Sequence, residues 1–245
     1  MAARLTAAAD GVRTASTRVE RLRGQAPAAV AVDQVRADLV LAQAGFALRE
    51  AIRQEQELVY SLAGRTDLEG DVLELVGGGH SAQLAQADRA LRAIWRMAGM
   101  DGATVHPRRN KRFARSEPVD ALLGYYRASA SRTGIDWSYL AAINFIESDF
   151  GRTNGPSSAG ALGPMQFIPA TFREYGAGGD IMSPKDSIQA AANLLARNGA
   201  PGDYDRATYR YNHSQDYVTA VKGYAAAMHA DLLWLTRLYY WSTYG

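Results

Sequence analysis

Residues 140–171 read LAAINFIESDFGRTNGPSSAGALGPMQFIPAT. In one stretch an apolar helix ends in a glutamate, a glycine-rich turn follows, and a glutamine stands close to a proline. On a helical wheel stepped at about 100° per residue, Ile143, Asn144 and Glu147 fall within about 60° of Leu140. The carboxylate therefore shares a face with core side chains. The other flank carries Ala141, Ala142, Phe145 and Ile146, and a helix apolar all round is a buried helix. Burial penalises the charged form of a carboxylate and lifts its pKa from about 4.3 towards 6 or above, the range a general acid needs near neutral pH. Position alone does not separate such an acid from a glutamate paired with an arginine, and Arg152 is close in sequence.

Composition sets the bounds around this stretch. The chain has 245 residues, 47% of them hydrophobic and 21% charged, so it is long enough for one large domain or two small ones with a real core. A net charge of +2 gives no strong sign of a nucleic-acid protein. With no cysteine there are no disulfides and no thiolate metal sites. No run reaches about 18 apolar residues, so no transmembrane helix is expected. The opening MAARLTAAADGVRTASTRVE lacks the continuous apolar segment of about 7–15 residues that marks a secretory signal. Either export takes another route or this chain starts downstream of the gene's true beginning.

Outward from the central stretch, helical patterns dominate. Residues 1–26 are rich in Ala and Arg and can form a helix that frays at the end. From about Ala31 to Ala63, Val35, Leu39, Ala42 and Phe46 repeat at four, three and four. Leu84, Ala87, Leu91, Ile94/Trp95 and Ala98 keep three-four spacing, and two such helices invite an antiparallel hairpin. The short apolar piece Val72–Val76 lies between turn glycines. HPRRNKRFAR, with five basic residues from Arg108 to Arg115, reads as a solvated linker or a contact for an anionic polymer. The organisation that follows is a helical arm over 1–106, a basic linker over 107–116 and a second domain over 117–245. There Pro118 opens a helix whose buried stripe is Val119, Leu122/Leu123, Tyr126 and Ala130, and Gly134 ends it. Asp136 is placed to cap the Glu147 helix, and Ser183 the helix over residues 183–197. Arg206–Asn212 is a short element, and residues 216–240 read as one long apolar helix. Trp234, Tyr239, Tyr240 and Trp241 suit core packing or contact with the N-terminal hairpin better than sugar stacking. No sustained strand alternation occurs. The class is mainly α.

Three motifs stand in order: E-S-x-F-G from Glu147, S-x-A-G-A-x-G-P-M-Q-F-I-P-x-T-F from Ser157, and Y-N-H-S-x-x-Y-V from Tyr211. Over roughly Val119 to Tyr224 the sequence resembles the lysozyme-like lytic murein transglycosylases, and its GPMQFIP version looks most like the branch of the membrane-bound Gram-negative enzymes and their actinobacterial relatives. The first hundred residues are outside the resemblance. It implies a lysozyme-like catalytic domain preceded by the helical hairpin, with Glu147 as catalytic acid/base. By the same resemblance Ser157 and Gln166 hydrogen-bond sugar or reaction centre, while Tyr211 and Asn212 line the cleft near the glutamate. Beside these roles stand plainer ones: a turn residue for Ser157, a loop-bracing amide for Gln166, a helix cap for Asn212.

The resemblance implies lyase chemistry on the β-1,4 bond between N-acetylmuramic acid and N-acetylglucosamine, closing a 1,6-anhydro ring. Paired-carboxylate hydrolysis needs a second acid about 5–9.5 Å away. Asp149 should point off the Glu147 face, Asp136 lies roughly 16 Å down the helix, and only the loop residue Asp180 remains. A one-carboxylate mechanism is favoured. A muramidase cutting the same bond by hydrolysis, and a non-catalytic wall-binding or assembly module, are the alternatives. The Gram-negative relatives carry an acidic calcium loop where this chain reads YGAGGDIMSPKD, too poor in oxygen ligands for a cage. No metal and no cofactor is expected, and His213, near the motifs, reads as a structural imidazole. The implied partner is the peptidoglycan glycan strand, with no nucleic acid, a protein partner conceivable at the N-terminal helices, and a place of action in the wall or outside the cell.

Overall fold

The computed structural model describes residues 1–25, 27, 31–63, 78–97 and 114–241. The expected apolar piece at Val72–Val76 and the basic residues Arg108–Arg112 lie outside the described residues. Among those described, the regular elements are helices, with one isolated antiparallel bridge between Leu162 and Phe167 and no strand ladder. The fold is all-α, and it divides into two compact units, residues 1–84 and 85–243.

The first unit is a helical hairpin. Helix α1, Ala2–Arg23, buries Leu5, Ala9, Val12, Ser16 and Val19, a three-four repeat. Helix α2, Ala31–Ala63, packs on it with Ala44, Leu48, Ile52 and Val59. Arg4, Ala7 and Ala8 share a cavity wall with Gln54, Leu58 and Ser61, so the start of one helix faces the end of the other and the pair is antiparallel. The helix that residues 1–26 can form is present as α1, 22 residues long, and its apolar stripe has a partner in α2. One detail differs from the sequence reading. The stripe Val35, Leu39 and Phe46 is not the packed face: these side chains are 59%, 59% and 64% exposed. Helix α2 carries three-four spacing on two faces, and α1 covers the other one.

The second unit begins within α3, Gly78–Met97, and holds seven further helices. Ala87, Ala90, Leu91 and Trp95 of α3 are buried. Gly223, on α9 (Gln215–Ala230), lies so close to α3 that an added Cβ would stand 2.6 Å from the Gln86 carbonyl oxygen. Arg96 pairs with Asp216 at 2.7 Å.

Helix α4, Val119–Thr133, starts at Pro118 and stops at Gly134 in the left-handed conformation, φ 75°, which glycine adopts without a Cβ penalty. Helix α5, Trp137–Ser148, is capped by the Asp136 carboxylate, which accepts from the Ser138 N–H at 2.9 Å. It is the central helix: Leu140 to Asn144 are all essentially inaccessible to solvent. Helix α6, Pro169–Tyr175, begins with proline at its first position, an element the sequence pattern did not mark. Helix α7, Pro184–Arg197, starts at the predicted Ser183 cap and buries Ile188, Ala191, Ala192 and Leu195. Helix α8, Tyr204–Tyr211, leads to α9.

The predicted long C-terminal helix is two: α9 ends at Asp231, and α10 spans Leu233–Trp241. Asp231 has an extended backbone, φ −148° and ψ 111°, and its carboxylate accepts from the Leu233 N–H at 3.0 Å. Apolar residues on both sides of the break hide it from a periodicity reading. Trp234 and Trp241 are buried with their rings 5.7 Å apart, and Tyr239 meets Phe150 at 5.7 Å.

Candidate active site

Glu147 sits in the last turn of α5, one residue before the helix ends. Asp149 then takes a left-handed conformation (φ 57°) that turns the chain out of the helix, followed by Phe150 and Gly151, also at positive φ. Ser148 closes the turn: its hydroxyl accepts from the Gly151 N–H at 2.8 Å and donates to the Pro164 carbonyl. Helix end and glycine-rich segment are thereby held together.

The Glu147 side chain is half-buried, and Oε1 accepts a hydrogen bond of 2.6 Å from the Tyr217 hydroxyl. Burial pushes its pKa up to about 7, while the bond from Tyr217 works in the opposite direction by favouring the carboxylate. Arg152 does not neutralise it. That guanidinium lies 3.5 Å from the Asp149 carboxylate and over the Tyr239 ring at 4.3 Å. The other acids weighed from the sequence have structural partners too. Asp136 caps α5 and meets His229 Nδ1 at 2.7 Å, and Asp180 accepts from the Met182 N–H at 2.8 Å.

Tyr217 comes from the first turn of α9, whose cap is Ser214. Asn212, weighed as a helix cap, is the exposed, extended C-cap of α8, its backbone N–H donating to Thr208 O, while α9 is capped by Ser214. Tyr211 stacks nearly parallel to Tyr217, centroids 6.2 Å apart, and its hydroxyl donates to the Met165 carbonyl at 2.6 Å. Burial and the nearby Glu147 charge hold both phenols well above their ordinary range, so both stay protonated donors. Glu147, Tyr217, Tyr211 and the Met165–Gln166 segment thus form one connected group.

Gln166 is at φ 48°, unusual for a residue with a side chain. Its Nε2 donates to the carbonyls of Gly163 at 2.9 Å and Gly155 at 3.2 Å, so the amide nitrogen braces the loop. Gly163 is required twice over. Its φ is +76°, and an added Cβ would stand 2.0 Å from the Ile181 carbonyl oxygen. Ser157 is exposed and shapes its own turn: its Oγ accepts from the Ala161 N–H at 3.0 Å, and its backbone N–H bonds Ala161 O at 2.9 Å. A hydroxyl that accepts there keeps its proton for another partner. Met165 and Phe167 are buried, Phe167 edge-on to Tyr211.

Sequence reasoning did not assign roles to Tyr217, Asn144 or Ser148. Each stood in view, as the last tyrosine of the third motif, on the Glu147 wheel face, and as the serine of E-S. What the sequence lacks is the 70-residue contact that joins Tyr217 to Glu147.

Compared with known families, residues 124–233 match the family model for the transglycosylase SLT domain. This segment is similar to the transglycosylase SLT domain. It contains Glu147, both tyrosines and the glycine-rich loop, and its all-α architecture is lysozyme-like. The match supports transglycosylase activity on peptidoglycan in general, which implies extracytoplasmic action. Among the described residues no helix is long and apolar enough to cross a membrane. No curated protein and no solved structure gives a significant match.

Proposed function

We propose that the chain is a peptidoglycan lytic transglycosylase in which Glu147 alone serves as acid and then base. The observation that carries this reading is the Glu147 carboxyl, half-buried, with a pKa of about 7 and a phenol on Oε1. At neutral pH such a group is present in both protonation states, which suits a residue that must give a proton and take one back.

With Oε1 occupied by Tyr217, the acidic proton resides on Oε2. It passes to the glycosidic oxygen as the bond from muramic C1 breaks, and N-acetylglucosamine leaves with a free 4-hydroxyl. The 2-acetamido carbonyl of the substrate covers the developing charge at C1. Glu147, now a carboxylate, removes the proton from the muramic C6 hydroxyl, and O6 closes on C1 as the acetamide departs. One proton is given and one recovered, and no water is consumed. Tyr217 orients the carboxyl. Gln166, Ser157, Tyr211 and Asn212 are assigned to holding the sugar in the cleft, with Tyr211 doing so through Met165 as well as directly. The hairpin of α1 and α2 is assigned to contact with another protein.

Mass spectrometry of purified sacculi after digestion tests this. Muropeptides ending in 1,6-anhydro-muramic acid, absent with Glu147→Gln, are expected. Reducing ends would instead identify a muramidase, and absence of any product across pH 4.5–8.5 would identify a non-catalytic wall-binding module.

A further inference from the structure

We propose that Asn144 is a positioning residue: its amide, wedged between the Tyr126 hydroxyl and the Pro164 carbonyl, fixes the Pro164–Gln166 segment against the helix that carries Glu147. The inference rests on the reading of Glu147 as the acid/base.

Asn144 lies one helical turn before Glu147 and is fully buried. A buried amide is tolerated only with both ends satisfied. Its Nδ2 donates to Pro164 O at 2.8 Å, and its Oδ1 accepts from the Tyr126 hydroxyl at 2.6 Å. The orientation follows from chemistry. A carbonyl can only accept, so the NH2 must face Pro164, and the oxygen is left for the phenol on α4. Ser148 adds a second donor to the same carbonyl.

The next two residues of that segment are the ones joined to the site. Met165 O receives the Tyr211 hydroxyl, and Tyr211 stacks on the tyrosine that holds Glu147. Gln166 is kept in a left-handed backbone conformation that persists only where its surroundings over-determine it. Asn144, together with Ser148, is the part of that surrounding which comes from the catalytic helix itself. It ties the position of Gln166 to that of Glu147.

The requirement at position 144 is chemical: a donor and an acceptor on one planar group. Leucine matches the size and offers neither. Aspartate sets a second oxygen against Pro164 O and regains a donor only when protonated, which burial favours at low pH. Asparagine carries no such dependence, so the aspartate variant should show an acid-restored activity.

The test uses the whole chain and the variants Asn144→Leu, Asn144→Asp and Tyr126→Phe. Sacculus turnover is followed from pH 4.5 to 8.5, and the Glu147 carboxyl titration by carbon-13 NMR. For Asn144→Leu a fall in kcat of about 100-fold with KM changed less than about threefold is expected, as for misplaced reacting groups. Asn144→Asp should come within about tenfold of wild type at pH 5, with its alkaline limb at least about one pH unit lower. Folded Asn144→Leu with wild-type kcat, or an Asn144→Asp profile parallel to wild type, overturns the proposal. Should neither variant fold, Tyr126→Phe decides. It leaves the Pro164 bond and frees Oδ1, so unchanged kcat together with an unchanged Glu147 midpoint overturns the proposal, and a change in either supports it. If wild type releases no product, the functional reading fails separately. The Glu147 midpoint then still decides, a move of about half a unit in Tyr126→Phe or Asn144→Asp supporting the tie and no move refuting it.

Discussion

At the scale of single residues the protein turns on one carboxyl group kept in conflict. Burial favours its neutral form and the Tyr217 hydroxyl favours its charged form, with burial prevailing. The linkage has a definite sign. A carboxyl raised from 4.5 to about 7 binds its proton more tightly in the folded state. Its contribution is favourable below the unfolded value and is lost as pH rises between the two values. Wild type should therefore lose stability from about pH 4.5 to 7, and Glu147→Gln should remove that loss. At pH 8 the variant should be more stable by about 1–3 kcal/mol while having lost sacculus turnover, the rise from 4.5 to about 7 being worth roughly that much after solvent screening of a half-buried group. Urea denaturation at pH 5 and pH 8 checks it, and equal differences at both pH values would refute it. Tyr217→Phe removes a hydrogen bond that favours the carboxylate. The Glu147 pKa should then climb above about 7, moving the alkaline limb of activity to higher pH while kcat falls by about tenfold or more as the carboxyl loses its orientation. A pH–rate profile reads both effects.

At the scale of elements, what was legible in the sequence was local. Asp136 and Ser183 announce their helices because a cap and its N–H lie within three residues. The half-burial of Glu147 was legible because its wheel position follows from the helix it sits on. The outcome was different wherever the deciding partner was remote. Val35, Leu39 and Phe46 have the spacing of a packed face and are exposed, since the spacing says that a face is apolar and not whether a neighbour covers it. Asp231 splits an apolar run whose periodicity continues on both sides. Tyr217 reaches Glu147 only because α9 packs on α5. The glycine-rich loop falls between these cases. Its glycines are visible, but that Gly163 faces the Ile181 carbonyl is a tertiary fact. Gly163→Ala should lose at least about 2 kcal/mol, combining left-handed strain with a contact that backbone must move to relieve. Thermal unfolding measures the loss. A variant with wild-type Tm would mean that the loop and the turn at Ile181 separate at no cost.

At the scale of the whole molecule, the matched family segment begins at residue 124, yet the compact unit that contains it begins at residue 85. The difference is α3. Gly223 lets α3 approach α9 to a distance no Cβ would permit, and Arg96 pairs with Asp216 at the start of α9, one residue before Tyr217. The helix lies outside the recognised segment but packs on the element that supplies the phenol to Glu147. Two truncations separate these possibilities. A chain starting at Gly78 keeps α3 and should retain cooperative unfolding and sacculus turnover within about threefold of the full chain, its core being its own. A chain starting at Ala114 loses the buried Ala87, Ala90, Leu91 and Trp95 and bares the α9 surface at Gly223 that Gln86 and Ala90 cover. It should unfold with at least about 3 kcal/mol less stability, the order expected when several buried side chains are removed together. Its residual activity should fall with the position of Tyr217. Equal stability of the two truncations would mean that α3 is an appendage of the catalytic unit rather than part of its wall.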